Sequence, residues 1–383
     1  MPAEPILAIV GAAHAPSQDS GSLTPAGLMA EASAAAILDA GVDKAEIDGL
    51  FSSSSFYYMP TLNLGEYLGI VPRYSDSTTI GGCSFVAHLR HAAAAIGAGE
   101  MTTGLIAYGS TQRSIGSRFV KSMSEPLPYE VPYGPLWPIA GYAMQAQRHM
   151  YEFGTTPEQL AEVAVSARSW ARLNPAARMR KPITIDDVLD SPMIADPLHR
   201  FDCCLVTDGG GALVVTSPER AADLVGNPVY LLGASEAHVA RYMSALPSFV
   251  TSPGALTGPA ALEKAQVGLD DIDHFQLYDP FTIAVIIAVE DLGLCAKGEG
   301  GPFLEDRKSR PGGSMPLNTD GGGLSHRHPG MLGMNLVLEA VAQLTDSAGD
   351  RQVEDTRLSL VHGLGGVYTA TATAILANRS GLG

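Results

Sequence analysis

Short apolar runs alternate with longer, Ala-rich stretches along most of the chain, and Gly or Pro separates the two kinds of segment. Apolar runs of this length between turn residues are typical of buried strands, and the longer stretches have the length of helices. The stretch 24–41 opens with Thr24 and Pro25, a favourable N-cap and first helical position, and ends at Gly41. The pattern predicts an α/β protein whose helices pack on largely buried sheets.

One strand–helix–strand pattern occurs twice along the chain. The first strand of the early copy, "IVGAAHA", resembles "LLGASEA" later on, which aligns Gly11 with Gly233. Where each helix ends and the next strand begins, Asp48 aligns with Asp273, and several neighbouring pairs share the same offset of 225 positions. We therefore predict an internal duplication of about 220 residues, which gives two similar α/β halves.

The predicted halves are residues 1–225 and residues 226–383. A region at about 111–200 interrupts the first half with an aromatic and Pro-rich stretch followed by a helical one, and it matches neither copy of the repeat. Long insertions in compact domains usually form lids or binding loops. We expect this insertion to shape a substrate pocket and a subunit contact.

Composition and charge exclude several classes of protein. The 383-residue chain has 40 acidic and 24 basic residues and a net charge of -16, which disfavours binding to nucleic acid. Because no apolar run is long enough for a membrane span and the first residues lack a basic signal-peptide region, we expect a cytoplasmic protein. The four cysteines lack CxxC spacing, so we expect neither a disulfide framework nor a metal site.

The second half contains three distinctive segments: "YDPFTIAVIIAVEDLGLCAKGEGG" (278–301), "PLNTDGGGLSHRHPGMLG" (316–333) and "VHGLGG" (361–366). They resemble the thiolase superfamily, and within it the lipid-transfer-protein or sterol-carrier-protein-x branch. The resemblance implies the thiolase fold, a duplicated αβαβα architecture of five layers, in a homodimer that acts on an acyl-CoA thioester. It implies no covalently bound cofactor, since coenzyme A enters as part of the substrate. Members of the branch are often encoded with a small OB-fold and zinc-ribbon protein, which implies such a partner here.

Cys83 precedes an Ala-rich helix at the place where thiolases carry a nucleophilic cysteine. A helix N-terminus lowers the pKa of a thiol and supplies N–H donors. Matching Ile96 and Gly99 to the family's helix pattern, however, places the nucleophile at Gly82. Since a helix turns by about 100° per residue, Cys83 would then point into packing. We predict that the nucleophile is absent, although one inserted residue in this alignment would return Cys83 to the catalytic position.

Three further side chains match catalytic positions of the family. His328 corresponds to the histidine of a Gly-His-Pro loop, and an imidazole there can polarise a thioester or move a proton. Tyr278 replaces an Asn or His and can donate to an enolate or act as an acid or base, unless it is a buried core residue. His362 falls on the second catalytic cysteine, in a loop that could otherwise be a plain turn. After it, we expect the backbone N–H groups of three glycines to face the pocket: Gly363, Gly365 and Gly366.

These residues favour one reaction over two alternatives. Without an acylated cysteine, thiolysis loses its covalent step, whereas retro-aldol cleavage of a β-hydroxyacyl-CoA needs none. We therefore expect a CoA-thioester aldolase, a carbon–carbon lyase, that acts on a steroid or other bulky side chain. The alternatives are a β-ketoacyl-CoA thiolase or acyltransferase that uses Cys83 and a non-catalytic thiolase-like subunit. The sequence does not assign the acid and base roles among Tyr278, His328 and His362.

Overall fold

The structure, a computed structural model, describes residues 2–16, 23–115, 129–224 and 226–383. Strands and helices alternate along these ranges, which confirms the predicted α/β class. The strands are β1 (Leu7–His14), β2 (Gly49–Ser52), β3 (Tyr74–Asp76), β4 (Thr103–Ser110), β5 (Met193–Ala195), β6 (Leu198–His199), β7 (Gly209–Thr216), β8 (Val229–His238), β9 (His274–Leu277), β10 (Leu358–Gly365) and β11 (Ala370–Ala377).

The helices occupy most of the chain between these strands. The first one starts at Pro25 after Thr24, whose side chain accepts the N–H of Gly27, and is capped by Gly41, as the sequence predicts. Within the described ranges, none of them has both the length and the apolarity to cross a membrane. The helices are α1 (Pro25–Ala40), α2 (Pro60–Leu68), α3 (Ser84–Gly97), α4 (Gln112–Ile115), α5 (Ile139–Phe153), α6 (Pro157–Ala171), α7 (Ile185–Leu189), α8 (Pro218–Ala221), α9 (Gly254–Ala265), α10 (Thr282–Asp291), α11 (Gly300–Glu305) and α12 (Gly333–Leu344).

Nine of the strands form one mixed sheet with the order β3-β2-β4-β7-β1-β8-β11-β10-β9, while β5 and β6 pair separately. The centre of the large sheet is the antiparallel pairing of β1 with β8. On one side, β1, β7 and β4 are antiparallel and β2 is parallel to β4. On the other side, β8, β11 and β10 are antiparallel and β9 is parallel to β10. The strand pattern is therefore the same on both sides of the centre, with β3 added at one edge.

Matching glycines seat one helix on each half of the sheet. A Cβ at Gly11 on β1 would collide with the carbonyl oxygen of Ala36 on α1. A Cβ at Gly233 on β8 would collide in the same way with the carbonyl oxygen of Ala261 on α9. Because glycine lacks a Cβ, the helix backbone can approach the strand at both places. The glycines that the internal repeat aligns thus make the same kind of contact.

Two further helices form the layer between the two parts of the sheet. α1 packs on β1, β4 and β7, and α9 packs on β8 and β11. By contrast, α3 and α12 contact each other and strands from both parts of the sheet, which gives the layer order αβαβα. Their N-terminal ends meet, since a Cβ at Gly333 would collide with the carbonyl oxygen of Gly82. The candidate site lies at this meeting point.

The described residues cover only part of the predicted division into two halves and an insertion. Residue 225, the predicted boundary, and residues 116–128 of the predicted insertion lie outside the described ranges. The boundary falls between β7 and β8, and the division there stays a prediction. The described part of the insertion contains α5, α6, α7 and the pair β5-β6. Of these, α6 packs on α10, α11 and the turn at 322–326, which connects the insertion to the candidate site.

Candidate active site

Tyr278 and His328 form the centre of the candidate active site. Tyr278 directly follows β9, and its backbone N–H donates to the carbonyl oxygen of His362 on β10 at 3.0 Å. Its hydroxyl oxygen lies 3.0 Å from Nε2 of His328 and accepts the N–H of Leu332 at 3.1 Å. The two rings meet edge to face, with centroids 5.7 Å apart. The structure therefore brings together two of the residues that the sequence singles out.

Both of these side chains are neutral near pH 7. Burial raises the pKa of Tyr278 well above its ordinary value, and burial lowers the pKa of His328 to about 4. Because the Tyr278 oxygen already accepts the N–H of Leu332, its own proton is available to Nε2 of His328. In the Nδ1-protonated tautomer of the imidazole, Nε2 is free to accept this proton, for which the carbonyl oxygen of Gly330 at 3.5 Å is a second acceptor. A neutral phenol and a neutral imidazole in contact can relay a proton between them.

The Tyr278 ring fills the place next to Gly82, the residue that aligns with the thiolase nucleophile. A Cβ at Gly82 would overlap the ring and lie 2.5 Å from its hydroxyl oxygen. Cys83 is fully buried, and its thiol donates to the carbonyl oxygen of Ile80 at 3.3 Å. Burial raises the pKa of the Cys83 thiol above its ordinary value, which disfavours the thiolate that a nucleophile requires. In this geometry Cys83 is a packing residue.

The glycines at the end of β10 pack against the turn that carries Cys83. A Cβ at Gly363 would lie 2.9 Å from Cβ of Cys83, and a Cβ at Gly365 would collide with the carbonyl oxygen of Ile80. Gly366 has a left-handed φ of 61°. The absence of side chains at these positions is therefore explained by close packing of two backbone segments. The expectation that their N–H groups face a substrate stays a prediction.

His362 does not join the tyrosine and histidine of the site, which corrects the expectation from its sequence position. Its Nδ1 lies 2.8 Å from Oγ1 of Thr373, and its ring contacts Gly254 at the start of α9. Gly363, the next residue, faces Cys83 on the other side of the strand. Since side chains alternate along a strand, a difference of one position moves a residue to the opposite face. The imidazole of His362 therefore lies between the sheet and α9, where burial lowers its pKa to about 4.

The segment that precedes β7 contacts the site, although no pattern in the sequence indicates it. The N–H of Leu205 donates to the carbonyl oxygen of Gly323 at 2.9 Å, and the N–H of Thr207 donates to that of His328 at 3.2 Å. The N–H of His328 in turn donates to Oγ1 of Thr207 at 3.1 Å. Thr207 thus fixes the backbone of the catalytic-loop histidine from both sides. Its one sequence signal is its position just before the glycine run of β7, which does not reveal this contact.

Buried polar residues before His328 hold the loop that carries it. Nδ1 of His326 lies 2.7 Å from Oδ2 of Asp320, and Nε of Arg327 donates to Nε2 of His326 at 3.0 Å. Burial and the charge of Arg327 lower the pKa of His326. Both nitrogens of His326 are therefore occupied by neighbours. His326 belongs to the support of the loop and not to the Tyr278 contact.

Several known proteins resemble this chain over most of its length. A family model described as "Thiolase C-terminal domain-like" matches residues 235–378. An acetyl-CoA acetyltransferase of Methanothermobacter thermautotrophicus is 32% identical, with 91% of this chain and 93% of that protein covered. A steroid side-chain-cleaving aldolase of Thermomonospora curvata is 31% identical, with coverages of 88% and 90%. The solved "Ltp2-ChsH2(DUF35) aldolase" is 31% identical, has a TM-score of 0.90, and is covered over 100% of its chain by 99% of this one.

These similarities define an α/β enzyme of the thiolase type. The chain belongs to the thiolase superfamily, and to its sterol-carrier-protein-x-like branch. The thiolase fold implied by the sequence motifs is confirmed, because the solved aldolase superposes along the whole chain. The relatives include both an acetyltransferase and an aldolase, so the broad class of the reaction is carbon–carbon bond chemistry on a CoA thioester.

Proposed function

We propose that this chain is a CoA-thioester aldolase that cleaves a β-hydroxyacyl-CoA by a retro-aldol reaction. One observation carries the proposal: the phenol of Tyr278 stands beside Gly82, where thiolases place their nucleophile, and its hydroxyl contacts His328. A reaction on this site has two proton-transfer groups and no accessible thiolate. Retro-aldol cleavage needs the proton-transfer groups, and it can proceed without a thiolate because it forms no acyl-enzyme.

In the proposed mechanism, Tyr278 exchanges the proton with the substrate and His328 acts as the base behind it. The β-hydroxyl gives its proton to the Tyr278 oxygen while Tyr278 passes its own proton to Nε2 of His328. The Cα–Cβ bond then breaks, which leaves a carbonyl product and a thioester enolate. The negative enolate stabilises the imidazolium that has formed. Return of the proton through Tyr278 to Cα gives the shortened acyl-CoA, so all atoms and protons balance.

The two central helices support the stabilisation of the enolate. α3 and α12 begin at the site, where a Cβ at Gly333 would touch the carbonyl oxygen of Gly82. The N-terminal end of a helix carries partial positive charge and favours an anion. An enolate oxygen placed beside these two ends would be stabilised by both. The N–H of Leu332 already serves the Tyr278 hydroxyl, which keeps that oxygen in place during the proton transfers.

The test is incubation of the purified chain with β-hydroxyacyl-CoA and β-ketoacyl-CoA esters, followed by analysis of small products and of the intact protein mass. We expect a ketone or aldehyde and a shortened acyl-CoA from the β-hydroxy esters, with no acyl adduct on the protein. The His328→Gln variant should lose this cleavage while it keeps the fold. An acyl adduct on Cys83, or cleavage of the β-keto esters alone, would contradict the aldolase.

A β-ketoacyl-CoA thiolase or acyltransferase that uses Cys83 is the second candidate. The 32% identity to an acetyl-CoA acetyltransferase is the observation in its favour. This candidate requires Cys83 to become accessible, so iodoacetamide should label it selectively and an acyl-CoA should protect it. A Cys83 that remains unlabelled in the folded protein would count against this candidate. Silence with both substrate classes would favour the non-catalytic thiolase-like subunit.

The names of the relatives extend the proposal to the substrate and the partners. We propose an acyl group with a steroid or other bulky side chain, because one relative is a steroid side-chain-cleaving aldolase. We also propose a homodimer with a small OB-fold and zinc-ribbon partner, since the solved aldolase is named for two components, Ltp2 and ChsH2 (DUF35). Coenzyme A enters as part of the substrate. Co-expression with a candidate partner, followed by size-exclusion chromatography with light scattering, tests the assembly. A fully active monomer would contradict it.

A further inference from the structure

Asp279 connects the two parts of the candidate active site. It follows Tyr278 in the chain and its side chain is fully buried. Its Oδ1 accepts the backbone N–H of Gly323 at 2.7 Å, and its Oδ2 accepts the N–H of Leu324 at 3.2 Å. Both N–H groups belong to a single π-helical turn, Gly322–His326, which leads into the loop of the catalytic histidine. The side chain of Asp279 thus attaches this turn to the backbone segment that carries Tyr278.

Glycines in the turn allow the carboxylate to approach so closely. Gly322 has a left-handed φ of 59°, and a Cβ there would collide with Oδ2 of Asp279. Residues with a side chain rarely adopt this conformation. A Cβ at Gly323 would lie 3.1 Å from Oδ1 of Asp279 and 3.2 Å from Cδ2 of His328. The carboxylate, the turn and the imidazole are therefore packed directly against one another.

Other contacts fix a different side of the same turn. From α6, Nε of Arg168 donates to Oγ of Ser325 at 2.9 Å, and the N–H of Met179 donates to the carbonyl oxygen of Ser325 at 3.0 Å. These contacts attach the turn to the insertion. They do not set the distance between the turn and Tyr278. Burial raises the pKa of Asp279 to about 8, and the N–H groups of Gly323 and Leu324 oppose this shift because they favour the charged form.

We propose that Asp279 is a positioning residue that sets the distance between the Tyr278 hydroxyl and Nε2 of His328. It acts through the Gly322–His326 turn and does not itself touch the substrate. A proton relay requires its two partners within hydrogen-bond reach, so a small displacement of the turn interrupts it. The inference rests on the proposed function for its kinetic readout, while its labelling readout is independent of any substrate.

The test is the Asp279→Asn variant of the full chain. An amide has a single acceptor oxygen and presents N–H groups to the second backbone N–H, so one of the two hydrogen bonds is lost. We expect diethyl pyrocarbonate to modify His328 several-fold faster than in the wild type, measured by peptide mass spectrometry with the exposed His238 as the internal reference. With a β-hydroxyacyl-CoA we expect kcat to fall roughly 10- to 100-fold while KM changes little.

The chain supplies a matched control in Asp202, another buried carboxylate, which accepts the N–H of His199 at 2.8 Å and the hydroxyl of Thr282 at 2.8 Å. Asp202→Asn should leave the labelling of His328 and kcat at wild-type values. Gly322→Ala pushes the turn away from Asp279 without changing the carboxylate, and it should reproduce both effects.

Wild-type labelling and wild-type kcat in folded Asp279→Asn would overturn the positioning role. Labelling that increases in both Asp279→Asn and Gly322→Ala, in proteins that never cleave the β-hydroxyacyl-CoA, would support the positioning role and refute the proposed reaction. If Asp279→Asn does not fold, the Gly322→Ala variant decides: wild-type labelling in that variant overturns the inference. A failure of the positioning role and a failure of the proposed reaction therefore give different results.

Discussion

The two halves of the large sheet share a framework and differ in their chemistry. In the first half, Asp48 accepts the backbone N–H groups of residues 102–103, at the start of β4, at 2.9 Å each. In the second half, Asp273 accepts those of residues 357–358, at the start of β10, at 2.8 and 2.9 Å. These aspartates are aligned by the same internal repeat as the matching glycines on β1 and β8. Both halves thus contain an aspartate side chain that binds the backbone at the start of a neighbouring strand.

The proposed proton-transfer pair, Tyr278 and His328, has no such counterpart. The offset that pairs the aspartates also pairs Tyr278 with Ser53, at the end of β2. The Ser53 hydroxyl donates to Oγ1 of Thr79 at 3.0 Å, and it also lies 3.7 Å from Sδ of Met331 in the second half. Tyr278 reaches the turn of Gly82 in the first half and the loop of His328 in the second. The duplication therefore retains the framework twice, while the proton-transfer pair is built from one copy of the strand end.

The largest difference in kcat/KM is expected between variants of Tyr278 and of Ser53, its equivalent in the first half. Tyr278→Phe removes the hydroxyl that contacts His328, and we expect kcat/KM to fall by roughly 10²–10⁴-fold, the usual contribution of a positioned acid or base. Ser53→Ala at the equivalent position should leave kcat/KM nearly unchanged. Steady-state kinetics with a β-hydroxyacyl-CoA, together with circular dichroism of both variants, measures the difference. Equal losses in the two variants would mean that the halves are not functionally distinct.

The glycines of the framework should behave alike in the two halves. Gly11→Ala and Gly233→Ala each force a Cβ into a helix carbonyl oxygen, and we expect each to lower the free energy of unfolding by about 1–3 kcal/mol, as overpacking does. Urea unfolding followed by circular dichroism measures both values. Wild-type stability in one variant and a large loss in the other would show that the matching contacts are not equivalent.

Local signals in the sequence predicted the framework well. The first helix begins after Thr24 and is capped by Gly41 because capping chemistry depends on neighbouring residues. The repeat predicted that Gly11 and Gly233 have equivalent surroundings, and the structure gives both glycines the same helix contact. Such features follow from residue type and spacing along a few turns of chain, so they are readable without a structure.

The directions of the side chains at the site are harder to predict from the sequence. His362 was assigned to the site, but a strand places successive residues on opposite faces, and a motif match shifted by one position reverses the face. Thr207 and Asp279 were not assigned a role towards His328. Their contacts join segments far apart in the chain, at 207 and 328 and at 279 and 323, and no pattern in a single sequence reports such pairs.

A smaller and matched effect is expected from the aspartates of the framework. Asp48→Asn and Asp273→Asn each weaken a carboxylate that accepts two successive backbone N–H groups. We expect each to lower the free energy of unfolding by about 1 kcal/mol, the typical worth of a hydrogen bond. The two variants should agree with each other in a urea titration and should keep wild-type kcat. A loss of kcat in Asp48→Asn alone would argue that the first half contributes more than support.

The smallest expected effect concerns His91 on α3, which connects the two halves. Its Nδ1 lies 2.7 Å from Oδ2 of Asp76 on β3, and its Nε2 lies 2.9 Å from Oε1 of Glu236 on β8. The hydrogen bonds to Asp76 and then to Glu236 raise the pKa of His91 from an ordinary value of 6.5 to about 9. A raised pKa stabilises the fold fully below about pH 6.5, and this contribution is lost as the pH rises through about 9.

His91→Gln replaces this cation with a neutral amide of similar reach, so the pH-dependent contribution should disappear. We expect the unfolding free energy of the wild type to fall more steeply than that of His91→Gln between about pH 6.5 and pH 9, as measured by urea titrations across that range. Arg90 also donates to Oε1 of Glu236, at 2.9 Å, so the link between the halves is weakened rather than removed. The same slope in both proteins would show that His91 is uncharged and makes no pH-dependent contribution to the link between the halves.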